Sequence, residues 1–227
     1  MSIGIIIRNS NSEIQIDGEY QNLSHAESGT SSIAGAGSET QVAIASSPAV
    51  PLILIQPGTD RFVCAYSYLR TGSNWNAFYA IAEYGASTTI NWQCHRIITA
   101  PSSETFGLRV RDRKANIVFD SGKLYFRIGQ IFTESLSSPT SASAPSVDLS
   151  HPNYSNPFYI LTPIGFWRFA EFTGQQTIGA WYKLGLKKLT ATSVRVGWFD
   201  FRPINLPGNV ASNSGYNPTF NVIVCEV

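Results

Sequence analysis

No long stretch of this chain places apolar residues at the i, i+3, i+4, i+7 spacing that gives a helix one apolar face. Short runs rich in Ile, Val, Phe, Tyr and Trp recur instead, broken by Gly, Ser, Asn and Pro. That alternation of strand formers and turn formers predicts an all-β chain, a sandwich or a barrel. Strands are expected at 3–8, 13–17, 41–45, 51–56, 62–69, 76–84, 88–98, 106–111, 116–120, 123–128, 157–162, 166–172, 179–186, 192–202 and 219–226. Within 88–98, Ile90, Trp92 and Cys94 alternate with Thr89, Asn91 and Gln93, so one face of that strand is buried. Arg96 continues the apolar side. Leu52-Ile53-Leu54-Ile55 does not alternate and reads as a central strand covered on both faces. Residues 24–40 and 133–156 are rich in Ser, Gly, Ala and Pro, and are expected to be long loops or arms.

Those two segments fall at matching places in an internal repeat. Gly4-Ile-Ile-Ile-Arg8-Asn9 followed by Ile14-Gln-Ile16-Asp17 matches Gly107-Leu-Arg-Val-Arg111-Asp112 followed by Ile117-Val-Phe119-Asp120, 103 residues on. At an offset of 106, Pro51 and Pro57 meet Pro157 and Pro163, Thr71 meets Thr177, and Trp75 meets Trp181. Trp92 and Arg96 then meet Trp198 and Arg202. The expectation is two tandem, internally duplicated β-sandwich domains with long Ser/Gly/Pro-rich loops, 1–103 and 104–227, each of a size that can hold its own core. The second carries an additional C-terminal strand, 220–227. If the first domain lacks its counterpart, an open ladder is left for another chain. Trp75, Trp92, Trp181 and Trp198 are expected in the two cores. Trp167 has no counterpart and, with Phe166 and Tyr182, is the candidate for interface or ligand contact.

Charge and residue chemistry narrow the function classes. Sixteen Lys and Arg balance fifteen Asp and Glu, which argues against a nucleic-acid partner. No run reaches the ~18 apolar residues of a membrane helix, and no secretion signal is read. Cys64, Cys94 and Cys225 are widely spaced and odd in number, which fits free thiols in a reduced interior. The three histidines, His25, His95 and His151, fall into no metal-binding or nucleophile–base spacing. Cys94 and His95 are strand neighbours and point to opposite faces. Ala34-Gly-Ala-Gly37 lacks the lysine and the strand–helix setting of a phosphate loop. No catalytic residue, metal or cofactor is therefore expected. Arg96 and Arg202 each stand four residues beyond a Trp, which predicts a cation–π contact or a strand-end salt bridge.

The segment Gly107-Leu-Arg-Val-Arg-Asp-Arg-Lys-Ala-Asn-Ile-Val-Phe-Asp-Ser121, followed by Leu124-Tyr-Phe-Arg127, resembles tail proteins of long-tailed bacteriophages. Gly4–Asp17 carries a degenerate version without the Phe and Ser. That family comprises small β-sandwich proteins of the tail tip, baseplate or tail fibre. The resemblance implies a non-enzymatic virion component, made in the bacterial cytoplasm, that contacts other tail proteins and the host surface. It also implies a homo-oligomer, and a trimer if the chain sits in a fibre. A carbohydrate-binding module for host glycans is the alternative reading, and a depolymerising enzyme with two carboxylates facing across a cleft is a third. Charged residues make up 14% of the chain and aromatics 12%, against roughly 25% charged residues in an average soluble domain. Sparse charge of this kind suits a surface that other chains cover.

Overall fold

A computed structural model describes residues 6–8, 14–17, 22–35, 37–85, 87–140, 143–208, 212–217 and 219–226. The described residues contain eighteen strands and no helix, as the strand-and-turn pattern predicts. Residues 3–5, Asn9, Glu13, Ala36, Ser141, Ala142 and Val227, used in the sequence reading, lie outside them.

In the first half, a hairpin of β1 (Ile6–Arg8) and β2 (Ile14–Asp17) precedes β3 (Leu23–Ile33), β4 (Thr40–Ser47) and β5 (Leu52–Gln56). The strands β6 (Val63–Thr71), β7 (Asn74–Ala82) and β8 (Thr88–Ile97) complete it. The second half repeats the opening with the hairpin β9 (Arg109–Arg111) and β10 (Ile117–Asp120), then β11 (Arg127–Glu134), β12 (Ser146–Ser150) and β13 (Pro157–Thr162). It continues through β14 (Phe166–Phe172), β15 (Gln176–Thr190), β16 (Ser193–Pro207), β17 (Ser212–Tyr216) and β18 (Phe220–Glu226).

The β1–β2 and β9–β10 hairpins each form a two-stranded sheet of their own, and two antiparallel sheets hold the other fourteen strands. One has six strands in the order β11-β18-β13-β5-β8-β3, and the other eight, along β12-β16-β15-β6-β7-β4 with β14 and β17 as a side arm. Each sheet draws strands from both halves. The halves meet at Tyr159 opposite Ile55 in the first sheet and at Leu186 opposite Val63 in the second. One buried cluster joins the inner faces of both sheets, from Ile33, Phe78 and Trp92 to Tyr159, Leu186, Trp198 and Val224. Strands of the two halves therefore share one pair of sheets, and the expected pair of separate sandwiches is not what the topology draws.

The strand registers show how far the repeat runs. The 103-residue offset continues through β3 and β11, and both strands bulge at the matching point, between His25 and Glu27 and between Ile128 and Gln130. The 106-residue offset holds for β5 and β13. It then fails, because the second half inserts β14. The hairpin turns close with Thr71 opposite Asn74 and Thr190 opposite Ser193, a displacement of 119 residues. A second insertion, β17, makes β18 the counterpart of β8, since Ile53 faces Cys94 where Tyr159 faces Val224. The two insertions pair with each other. The C-terminal strand is thus the second half's equivalent of β8, set between β11 and β13, and β14 with β17 is the real addition. The tryptophan matches are not structural equivalents. Trp92 lies in the six-stranded sheet and Trp198 in the eight-stranded one, although both are in the shared core. Trp75 and Trp181 lie outside it, each half-buried beneath an arginine, Arg70 and Arg168 respectively.

The first Ser-rich segment is mostly strand, β3, which corrects the expectation of a loop there, whereas the second holds only the end of β11 and the five residues of β12 and is otherwise loop among the described residues. In β3 the inward side carries Gly29 and Ser31 because Trp92 lies across it. A Cβ on Gly29 would stand 2.7 Å from the Trp92 ring, and the indole N–H donates to Ser31 Oγ at 3.0 Å. In β11 the matching residue is Phe132, opposite Val222. The bulky member of the pair has changed strands, so small residues in one copy answer large ones in the other. In β12, Asp148 is held by a two-pronged bond from Arg195 of β16.

This exchange makes a testable statement about packing. Gly29→Phe is expected to destabilise the protein by about 1–3 kcal/mol through overpacking. Gly29→Phe combined with Trp92→Val, which copies the second half's pair, is expected to recover much of that loss in urea denaturation.

Candidate functional site

The outer face of a sandwich sheet is ordinarily polar, because water covers it. The outer face of the six-stranded sheet departs from this. Cross-strand rows of Ile128, Cys225 and Phe158, and of Ile131, Ile223 and Ile160, run over β11, β18 and β13. They continue into Leu54 and Leu52 of β5, with Phe126 packed against them. Leu54 and Cys225 are fully buried, whereas Ile128 and Ile131 are 53% and 54% exposed at the sheet's edge. Leu124 is also exposed. Where β5 and β13 register at a single pair, the sheet leaves a cleft of about 600 Å³. Leu52, Phe126, Ile160 and Ile223 line it from the outer face, and Tyr66 and Tyr68 from the other sheet.

His95 lies on this same face, beside Leu52, while Cys94 points into the core. The opposite orientation expected for the two neighbours holds. The His95 ring meets Phe126 edge-on at 4.9 Å and His25 at 5.6 Å, and one ring nitrogen is 3.0 Å from Gln93 Oε1. Burial, and then the neighbouring His25, lower its pKa from 6.5 to about 4. His151 is equally structural, held between the Tyr159 hydroxyl at 2.9 Å and the Pro152 carbonyl at 2.8 Å. All three cysteines are free and buried, and burial raises the thiols of Cys64 and Cys225 to about 12 and that of Cys94 to about 11.

The aromatic candidates divide. Trp167 and Tyr182 stand opposite each other on β14 and β15, half-buried against the core, with the Trp167 indole donating to Asn213 Oδ1 at 2.6 Å. Phe166 turns outward, half-exposed, opposite Tyr216 of β17, which is also half-exposed. Lys183 Nζ lies 3.5 Å from the centre of the Tyr66 ring. Arg96 makes the predicted strand-end salt bridge, to Glu27 at 3.5 Å. Asp120 of the Phe-Asp-Ser motif is a buried hub. Burial pushes its carboxyl up, but donors from Ser102, Arg109 and Gly122 outweigh this and hold it well below the usual range. These bonds tie the 100–104 linker to the second hairpin, so the motif acts structurally here.

Burial raises the Asp200 carboxyl, and the nearby Glu83 adds to this. Among the described residues, no three His, Cys, Asp or Glu side chains gather into a group that could hold a metal ion. No helix among them is long and apolar enough to cross a membrane. Ile128 falls in the expected strand 123–128, but Ile131 lies between that strand and the Ser-rich segment from 133, so the sequence pattern does not bring the two onto one strand. The strand character of Arg127–Glu134 shows in the run Arg-Ile-Gly-Gln-Ile-Phe-Thr-Glu itself. No family model, curated protein or solved structure matches the chain.

His95 gives the face a pH signature. Between about pH 6.5 and 4 the unfolded chain binds a proton there that the folded chain does not. Stability is therefore full above that window and falls as the pH drops through it. His95→Gln is expected to flatten this part of the curve of melting temperature against pH.

Proposed function

We propose that the chain is a non-enzymatic structural component of a bacteriophage tail, at the tip, baseplate or fibre, which works by packing against copies of itself and other tail proteins. The observation that carries this reading is the apolar outer face of the six-stranded sheet, open at the β11 edge. An apolar sheet face that reaches an unpaired edge matches surface that another chain buries in an assembly. The likeness of Gly107–Arg127 to tail proteins supplies the kind of assembly, and the sparse charge agrees with it. The protein is then made in the bacterial cytoplasm, consistent with three free thiols, and ends in the virion, with host-surface contact left to exposed loops. Antibodies against the chain are expected to label purified particles in stoichiometric amounts. A stable monomer in solution that is absent from particles would remove this reading.

A second reading, glycan binding, draws on one feature. Phe166 and Tyr216 stand side by side and half-exposed on the inserted β14–β17 arm, where sugar rings can stack. Trp167 lies next in sequence. Titration with host polysaccharide is expected to change tryptophan fluorescence if that arm binds glycans, and Phe166→Ala should abolish the change. A silent titration counts against the reading.

A further inference from the structure

Apart from the two hairpins, the described strands present five sheet edges, β3 and β11 on one sheet and β4, β12 and β17 on the other, β17 being the short polar end of the side arm. Three of them carry features that discourage another strand from pairing. Along β3 the outward residues are Ala26, Ser28, Thr30 and Ser32, small and mostly polar. The β4 edge is interrupted by an irregularity between Ala43 and Ser47 and is stapled across to β3. There the Ala45 N–H donates to the Glu27 carboxylate at 2.8 Å, and Arg96 Nη2 donates to the Ala45 carbonyl at 2.7 Å. The β12 edge is polar, with Ser146, Asp148 and Ser150 exposed. Charge, irregularity and covering groups of this kind are how sheet edges avoid pairing.

β11 also has a bulge, at Gly129 with Tyr154 against it, and a charge at each end, but the middle of its outer side is exposed and apolar. It is the counterpart of β3, but where β3 has His25 and Ser28, β11 has Ile128 and Ile131, both more than half exposed. The staple is also gone. Gln130 replaces Glu27, and Glu226 replaces Arg96 and is committed to Arg127 and Ser155. The backbone side of β11 away from β18 faces no strand among the described residues.

We infer that β11 is a homodimer interface, in which β11 of one copy pairs antiparallel with β11 of a second copy across a twofold axis at Ile131. This goes beyond the tail reading and does not depend on it. Matching faces admits only registers two residues apart, and among them the one centred on Ile131 also sets Glu134 against Arg127. Ile131 lies on the outer face beside Ile223, and Phe132 on the inner face with the core. If the Gly129 bulge is skipped, as it is against β18, Ile131 meets Ile131 of the second copy and Phe132 meets Gln130. Thr133 then meets Ile128 on the outer side, and Glu134 meets Arg127 on the inner side. Every opposed pair shares a face, as a ladder requires. Arg127, already bridged to Glu226 of its own chain, gains Glu134 of the second copy as a further carboxylate, twice by symmetry. Of the one-residue alternatives, a slip in either direction opposes outer to inner residues. The joined sheet would have twelve strands and one continuous apolar outer face. An isologous contact of this kind closes at two copies, in place of the trimer expected from the family resemblance.

The test is the solution mass of the full chain, by light scattering and sedimentation over a range of concentrations. The mass of two chains is expected. Ile131→Lys, which sets like charges against each other on the axis, should weaken dimerisation by about tenfold or more. Glu134→Arg, which sets like charges against Arg127 of the second copy while leaving the Arg127–Glu226 bridge in place, should also weaken it. Ile131→Cys should form a disulfide between copies under mild oxidation, because the axis places it against itself, while Ser28→Cys on β3 should not. Unchanged circular dichroism of each variant shows that the fold is kept, and Ile131 is exposed enough for this to be expected. A monomer or trimer, or a dimer indifferent to both Ile131→Lys and Glu134→Arg, overturns the inference. Presence in particles is measured separately, so either proposal can fail without the other.

Discussion

The packing of inner sheet faces where the two halves meet holds this molecule together. Hydrogen bonding alone could not do so, since each sheet crosses from one half to the other through a single registered pair, Tyr159 with Ile55 and Leu186 with Val63. All four side chains are buried, and all belong to the same cluster. Removing apolar surface of this size from water yields about 25 cal/mol per Å², so a shared core can join halves that ladders join only weakly. The apolar cleft lies where the ladder between β5 and β13 is thinnest. It is a consequence of joining by side chains more than by backbone.

The same arrangement explains why the halves differ at their margins and agree in the middle. β5 and β13, at the junction, keep one offset and one length of apolar run. The bulge shared by β3 and β11 is kept too. Divergence is confined to places where the core tolerates it. β14 and β17 are added outside the common set of strands and satisfy each other's backbone groups by pairing. The Gly29–Trp92 and Phe132–Val222 pairs exchange volume across one ladder without changing what the core holds. At the sheet edges, Glu27 and Arg96 close one corner and their replacements leave the other open, so the molecule has one guarded end and one apolar end.

Strand existence was largely legible from composition and period. β5, β8, β13 and β18 fall close to where runs of Ile, Leu, Val and Phe place them, and Arg96 sits at a strand end in the predicted salt bridge. β3 was not legible, because its serines and glycine are there to accommodate Trp92, a residue about sixty positions away. Local composition reads such a segment as a loop. Likewise the tryptophan spacing was a true numerical match without structural meaning. The β14 insertion shifts the second copy by thirteen residues relative to β13, and no local signal marks where the added residues enter. Of the candidate contact residues, Phe166 is exposed, while Trp167 and Tyr182 lean on the core. Ile128 and Ile131 emerged only when β11 took its place at an edge.

By itself, then, the sequence determined the all-β class, the recurrence of one hairpin motif at constant spacing, and the free, buried character of the cysteines. These follow from short-range facts: the two-residue period of a strand, the turn residues between strands, and a motif repeated at constant spacing. Tertiary structure alone decided that the two copies share their sheets, that the C-terminal strand is β8's counterpart, and that β11 lies at an open edge with an apolar face beside it. Those features depend on which strands become neighbours. Neighbour choice is set by the burial of side chains far apart in the chain, which no local pattern records.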